Sequence, residues 1–173
     1  SNLNFPMLGY LCDNYGGEIH FSVGMTTQDE EEQIVRFLEE RGRAKDAVLY
    51  SCTSGYPVDF KDVCLGEILR LKETFGDRVK DVGFSGHHLG IAVDIAAATL
   101  GARWIERHFT LDRTWKGTDH AASLEPDGLR RLTRDLHNVW QSLDYKMTDV
   151  LDVEKVQRAK LKWIDPAAAA KAA

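Results

Sequence analysis

No stretch of this chain comes near the roughly 18 uninterrupted apolar residues that a membrane-spanning helix needs, so no membrane partner is expected. Its opening, Ser1 to Pro6, lacks the basic region and the apolar core of a secretory signal. Cysteine is scarce: Cys12, Cys52 and Cys64 make an odd number with no CxxC pair. That speaks against a disulfide framework and for a reducing, cytoplasmic compartment. Positive charge is in deficit, with 22 Lys and Arg against 27 Asp and Glu and a formal net charge of −5. Nucleic acid, whose phosphates call for a basic surface, is therefore a poor partner. A small anionic substrate stays open, because a metal ion and a few local cations can dominate a pocket. There is no GxGxxG, no P-loop, no Ser-His-Asp order and no thiolate-activating motif, which leaves nucleotide binding and acyl transfer without support.

What is present is an alternation of short and long patterned runs. At 173 residues and 43% apolar, the chain suits a single domain with a real core. Glu18–Ser22, Ala47–Cys52, Val79–Ser85 and Trp104–Thr110 are short, apolar and rich in β-branched or aromatic residues, as doubly covered parallel strands should be. Between and around them, Met7–Asn14, Gln28–Arg41, Val63–Phe75, Leu89–Leu100 and Pro126–Leu143 read as helices. Thr27 with Glu30 forms a capping box at the start of the second. In the third, Val63, Leu65, Ile68, Leu69 and Leu71 fall mostly on one stripe, and Leu89–Leu100 is nearly all small and apolar. Residues 1–150 are expected to hold the repeating units and residues 151–173 a terminal helix and tail, frayed from Ile164 onward. Repeated βα units imply a parallel sheet with right-handed crossovers. Periodicity alone does not separate a closed barrel from an open sheet.

In a parallel α/β sheet, chemistry gathers beyond the C-terminal ends of the strands. Those ends are Ser22–Met25, Cys52–Pro57, Ser85–His88 and Glu106–His108. His87 and His108 stand at equivalent ends one βα unit apart, where two imidazoles can either hold a transition metal or cap their strands by hydrogen bonding. Glu106 is an acid/base, a ligand or an orienting partner of His108; the alternative is an ion pair with Arg103 or Arg107. Asp119, in the polar loop Trp115–His120, faces a sugar or simply makes a surface turn. Ser22, Ser54, Ser85, Thr53 and Tyr56 supply hydroxyls where a phosphate or sugar would sit. Lys116, Arg107 and Arg113 are candidate anion attractors, with a solvated rim as the other reading of Arg113.

These segments, in this order, resemble the sialic acid synthase family. The likeness runs from about Asn4 to Leu143. It is carried by Ser22-Val-Gly-Met25, Cys52-Thr-Ser-Gly-Tyr-Pro57, Gly83-Phe-Ser-Gly-His87, Gly101-Ala-Arg-Trp-Ile-Glu-Arg-His-Phe-Thr110, Thr114-Trp-Lys-Gly-Thr-Asp-His120 and Ala122-Ser-Leu-Glu-Pro126. The resemblance implies a (β/α)8 barrel of which this chain supplies about four C-terminal βα units. It implies a divalent metal, typically Mn2+, held by His87 and His108, and catalytic roles for both and for Glu106. By that resemblance the metal would polarise the aldehyde of a mannosamine-type sugar, with C3 of phosphoenolpyruvate expected to attack, water to add at C2 and phosphate to leave. Ser54 and Ser85 are then expected to hold phosphoenolpyruvate, and Tyr56 and Asp119 the acceptor sugar. Ser85-Gly-His87, where many bacterial members have Ser-Asp-His, resembles the animal-like group, some of which take a 6-phosphorylated sugar. Ser54 stands where some members have Asn.

A complete barrel needs about 250 residues. By the resemblance, Asn4-Phe-Pro6 follows a fourth strand, so four strands, with phosphate-binding lysines and a further carboxylate, are expected upstream of Ser1. The chain is expected to pair either with that half or with a second copy of itself, burying two open sheet edges and one apolar face. The other readings are a legionaminic, pseudaminic or deaminated sugar synthase and a non-catalytic half-barrel module.

Overall fold

The computed structural model describes residues 2–163; the expected frayed tail from Ile164 lies outside them. The chain divides into two compact units, Ser1–Ser142 and Leu143–Ala173. The first holds α1 (Phe5–Asn14), β1 (Ile19–Ser22), α2 (Gln28–Glu40), β2 (Ala47–Cys52), α3 (Gly66–Phe75), β3 (Asp81–Gly86), α4 (Ala92–Thr99), β4 (Ile105–Arg107) and α5 (Pro126–Ser142). The second holds α6 (Asp152–Leu161), whose Val153 and Val156 are exposed. No described helix is long and apolar enough to cross a membrane.

The four strands are parallel and lie in the order β1-β2-β3-β4. A doubly wound sheet reverses its strand order at a switch point, whereas barrel strands simply follow one another. This order is that of a barrel arc.

Residues alternate between the two faces of a strand. Leu49, Val82, Phe84 and Ile105 face the helices and pack with Ile68, Leu71 and Phe75 of α3 and Ala97 of α4. A second cluster joins Ile19 and Ala47 to Ile34 and Leu38 of α2, and a third seats Leu132 and Leu136 of α5 against Ala98. Each fully buried aliphatic side chain contributes about 1.5–3 kcal/mol. The face turned from the helices carries, by the same alternation, His20, Ser22, Val48, Tyr50, Cys52, Asp81, Gly83, Ser85 and Glu106, of which only Val48 is aliphatic. It is polar and aromatic, not the apolar face expected. His20 Nδ1 and the Tyr50 hydroxyl lie 2.8 Å apart, and the His20 ring packs on the edge of Trp104. Tyr50 lies so close over Gly83 that a Cβ there would meet its ring at 2.8 Å.

The capping box expected at Thr27 and Glu30 is present, and α2 starts there. α3 begins later than expected, because Cys64 sits at φ 53°, a left-handed conformation that a helix cannot contain. Val63 still reaches the core ahead of the helix, while Leu69 is exposed. β4 is shorter than expected: beyond Arg107 the chain leaves β3, and Phe109 bridges to Leu124 instead.

Candidate active site

Parallel pairing in register sets Ser85 beside Cys52 on one side and Glu106 on the other. The next inward residues, His87 and His108, therefore emerge side by side just past the strand ends. Their ring centroids are 5.0 Å apart with the planes at 86°. Tyr56, from the loop after β2, lies against both, 4.4 Å from His87 and 5.6 Å from His108. Together with Ser54, Ser85 and Glu106 they line one cavity of about 410 Å3. Backbone comes close here as well: a Cβ at Gly24 would stand 2.8 Å from Ser54 Oγ and 3.1 Å from Cys52 Sγ.

His87 is buried, and its Nδ1 lies 2.9 Å from the Thr53 carbonyl. A carbonyl only accepts, so Nδ1 carries the proton and Nε2 keeps its lone pair, the tautomer a metal ligand requires. His108 Nδ1 lies 3.6 Å from Asp119 Oδ2, near but beyond hydrogen-bond distance. Among the described residues, no group of three or more His, Cys, Asp or Glu side chains converges as a metal site. Two neutral imidazoles with open positions nonetheless suit a first-row divalent ion whose remaining ligands are water or substrate oxygens. The donor set fits such an ion.

Glu106 accepts a hydrogen bond from the Ser85 hydroxyl at 2.7 Å. Among the described residues neither ion pair of the alternative reading forms: Arg103 approaches Asp81, and Arg107 turns to Asp94 on the opposite face. Ser85 has a single hydroxyl proton. While it is given to Glu106, it is not available to a phosphate.

Cys52 belongs to a strand-end run, yet sequence reasoning gives it no role. Burial pushes its thiol up, but hydrogen bonds to His87 and Ser85 outweigh that and leave it below the usual thiol value. Burial pushes His87 down, and its contacts with Cys52 and the Thr53 carbonyl more than offset this, raising it.

Asp119 reaches His108 but does not line the cavity. Lys116 is exposed, and the Arg113 guanidinium is taken by the Ala121 carbonyl. Arg107, expected as an anion attractor, is withdrawn into a buried cluster with Asp94 and His88 behind the site. The signal for that cluster is Asp94, a lone charge in an otherwise apolar helix. No lysine or arginine lines the cavity among the described residues.

A family model described as the NeuB family matches residues 1–148. The chain is 43% identical over 135 residues to the N-acetylneuraminate-9-phosphate synthase of Drosophila melanogaster, covering 78% of this chain and 35% of that protein. It is 38% identical over 141 residues to the N,N'-diacetyllegionaminic acid synthase of Campylobacter jejuni, covering 81% and 41%. The crystal structure of N-acetylneuraminic acid (sialic acid) synthetase from Leptospira borgpetersenii, in complex with citrate, superposes with a TM-score of 0.75 at 26% identity over 94% of this chain and 57% of that one. The chain thus spans less than half the length of these curated relatives, and its strands form part of a (β/α)8 barrel.

Proposed function

This chain belongs to the NeuB family, and from that membership we propose that it supplies the metal-site half of a synthase condensing phosphoenolpyruvate with N-acetylmannosamine or its 6-phosphate. The observation that carries this reading is the meeting of His87, His108, Tyr56 and the Ser85-bound Glu106 at neighbouring strand ends.

A divalent ion, in our reading Mn2+ on Nε2 of His87 and His108, would polarise the sugar's aldehyde. Glu106 is assigned to deliver a proton to the aldehyde oxygen as C3 of phosphoenolpyruvate bonds to the aldehyde carbon. Water adds at C2 and inorganic phosphate leaves, so phosphoenolpyruvate, sugar and water are fully accounted for in a sialic acid and phosphate. Ser54 is assigned to phosphoenolpyruvate. Ser85 either orients Glu106 or donates to that substrate, since it cannot do both with one proton. Tyr56 and Asp119 are assigned to the acceptor. The described lining of the cavity offers no cation of its own, so the charge of phosphoenolpyruvate would be met from outside this chain. The free cysteines support a cytoplasmic setting.

The test is phosphate release by the full-length protein from phosphoenolpyruvate and each acceptor, with Mn2+ and after chelation, with the product weighed by mass spectrometry. Turnover that stops on chelation is expected. Turnover indifferent to chelation would remove the metal from the reading. Likeness to a diacetyllegionaminic acid synthase favours one second reading, and turnover with a diacetamido sugar alone would select it.

A further inference from the structure

Behind the rim lies a charged cluster that the proposed chemistry does not use. Asp94 and His88 are wholly buried, and the Arg107 side chain is 2% exposed. The Arg107 guanidinium donates to Asp94 Oδ2 at 2.6 Å, to the His88 carbonyl at 2.7 Å, to the Gly90 carbonyl at 2.9 Å and to the Ala122 carbonyl at 3.2 Å. Its stem and the His88 ring pack over Gly86, where a Cβ would stand 3.1 Å from Arg107 Cδ and 2.9 Å from His88 Cε1.

Stability alone does not account for this arrangement. A buried ion pair is often no better than apolar residues of the same shape, because desolvation offsets the attraction. Among the described residues, His88 Nδ1, Asp94 Oδ1 and Arg107 Nε find no partner, which adds to that cost.

What the guanidinium joins is specific. Arg107 precedes His108 in the chain, and His88 follows His87. Ala122 ends the turn that Asp119 begins, with its own amide bonded to the Asp119 carbonyl. One planar group therefore ties together the segments that carry His87, His108 and Asp119, each through backbone one to three residues from the side chain. We infer that Arg107, held in place by Asp94, is the positioning residue that sets the separation of His87 and His108 and the approach of Asp119. A lysine is a point charge on a flexible stem and cannot hold these several acceptors in one plane.

This inference rests on the proposed metal reading, and its test separates the two. In the full-length protein, Mn2+ affinity is measured by electron paramagnetic resonance of the free ion, well below the melting temperature, with folding checked by circular dichroism. Arg107→Lys and Asp94→Asn are expected to weaken Mn2+ binding by about tenfold or more, as loss of an orienting partner does elsewhere. Arg78→Lys breaks a different arginine cluster, with Glu32 and Glu39, and is expected to lower the melting temperature without changing Mn2+ affinity. Should Arg107→Lys not fold, Asp94→Asn, which keeps the shape, gives the same comparison. Wild-type affinity in the folded Arg107 and Asp94 variants, with binding abolished in His87→Ala, overturns the positioning role and leaves the metal reading standing. Undiminished Mn2+ affinity in His87→Ala overturns both.

Discussion

His87 stands edge to face with His108, ring centroids 5.0 Å apart, although the two belong to different βα units. The Thr53 carbonyl fixes the proton of His87 on Nδ1, leaving Nε2 as the donor toward the cavity. Replacing either histidine by alanine is therefore expected to abolish Mn2+ binding and metal-dependent turnover while the far-ultraviolet circular dichroism stays that of the wild type. Calorimetric titration with Mn2+ checks this. Retained stoichiometric binding in both variants would sink the paired-ligand reading.

The Ser85–Glu106 hydrogen bond of 2.7 Å makes two further variants informative. Glu106→Gln keeps the shape and removes the group that can give or take a proton, so kcat is expected to fall roughly a hundredfold or more if Glu106 moves a proton. Ser85→Ala separates the two duties of one hydroxyl. A fall in kcat with KM for phosphoenolpyruvate unchanged identifies Ser85 as the orienter of Glu106, and we expect that pattern. A rise in that KM alone would assign the hydroxyl to the substrate.

Much of this arrangement is legible in the sequence, and the reasons for the rest are physical. The capping box at Thr27 sets the start of α2 because both of its bonds are local. The inward series Ser85, His87 and Glu106, His108 follows from strand alternation once the strands are found. The same alternation turns Arg107 away from Glu106, so it argues against the alternative of an ion pair between them. The partner of Arg107 is out of reach, since Asp94 meets it only through the tertiary packing of α4. The late start of α3 depends on the left-handed Cys64, a conformation that no propensity assigns to cysteine. The polar character of the uncovered face escapes a reading in which each strand is apolar throughout.

Asp119 contacts His108 and lies beside the cavity, not in its lining. An acceptor sugar bound over the two imidazoles would come within its reach sooner than phosphoenolpyruvate lying toward Ser54. Asp119→Ala is expected to raise the acceptor's KM several-fold more than that of phosphoenolpyruvate. Steady-state kinetics with each substrate varied in turn decides it, and the reverse pattern would move Asp119 to the phosphate side.

At the other end of the sheet, hydrogen bonds from Arg78 hold the carboxyls of Glu32 and Glu39 below their ordinary value of 4.5. Folded-state values that are depressed give stability that is fully present above the unfolded value. That stability is lost as pH falls through the folded value. The melting-temperature gap between wild type and the Glu32→Gln, Glu39→Gln variant should therefore be constant near neutrality. It should begin to close as pH falls past about 4.5 and vanish further down. A gap that stays constant to low pH would show that the two carboxylates contribute nothing through their charge.

The last expectation concerns the open edges of the arc. Among the described residues, β1 and β4 each pair on one side only. Part of each edge is already met: the Asn2 amide donates to the Ser22 and Gly24 carbonyls, and Leu124 bonds His108 and Thr110. The outward backbone of His20, Ile105 and Arg107 has no such cover among the described residues, and open donors and acceptors along an edge are a template for another strand. The uncovered face adds a milder drive than an apolar one, because His20, Tyr50, Ser85 and Glu106 are satisfied in part by one another or by water. Expressed by itself, this chain is thus expected to self-associate through its edges, with an apparent mass that rises with concentration in sedimentation. It should show little synthase activity, because the described lining of its cavity holds no lysine or arginine for phosphoenolpyruvate. In the full-length protein, strands supplied from elsewhere should protect the outward amides of His20, Ile105 and Arg107 from hydrogen exchange, and the same amides should exchange readily in the isolated chain at low concentration. A monomer of this chain that unfolds cooperatively, protects those amides unaided and condenses the two substrates would refute the need for a second half.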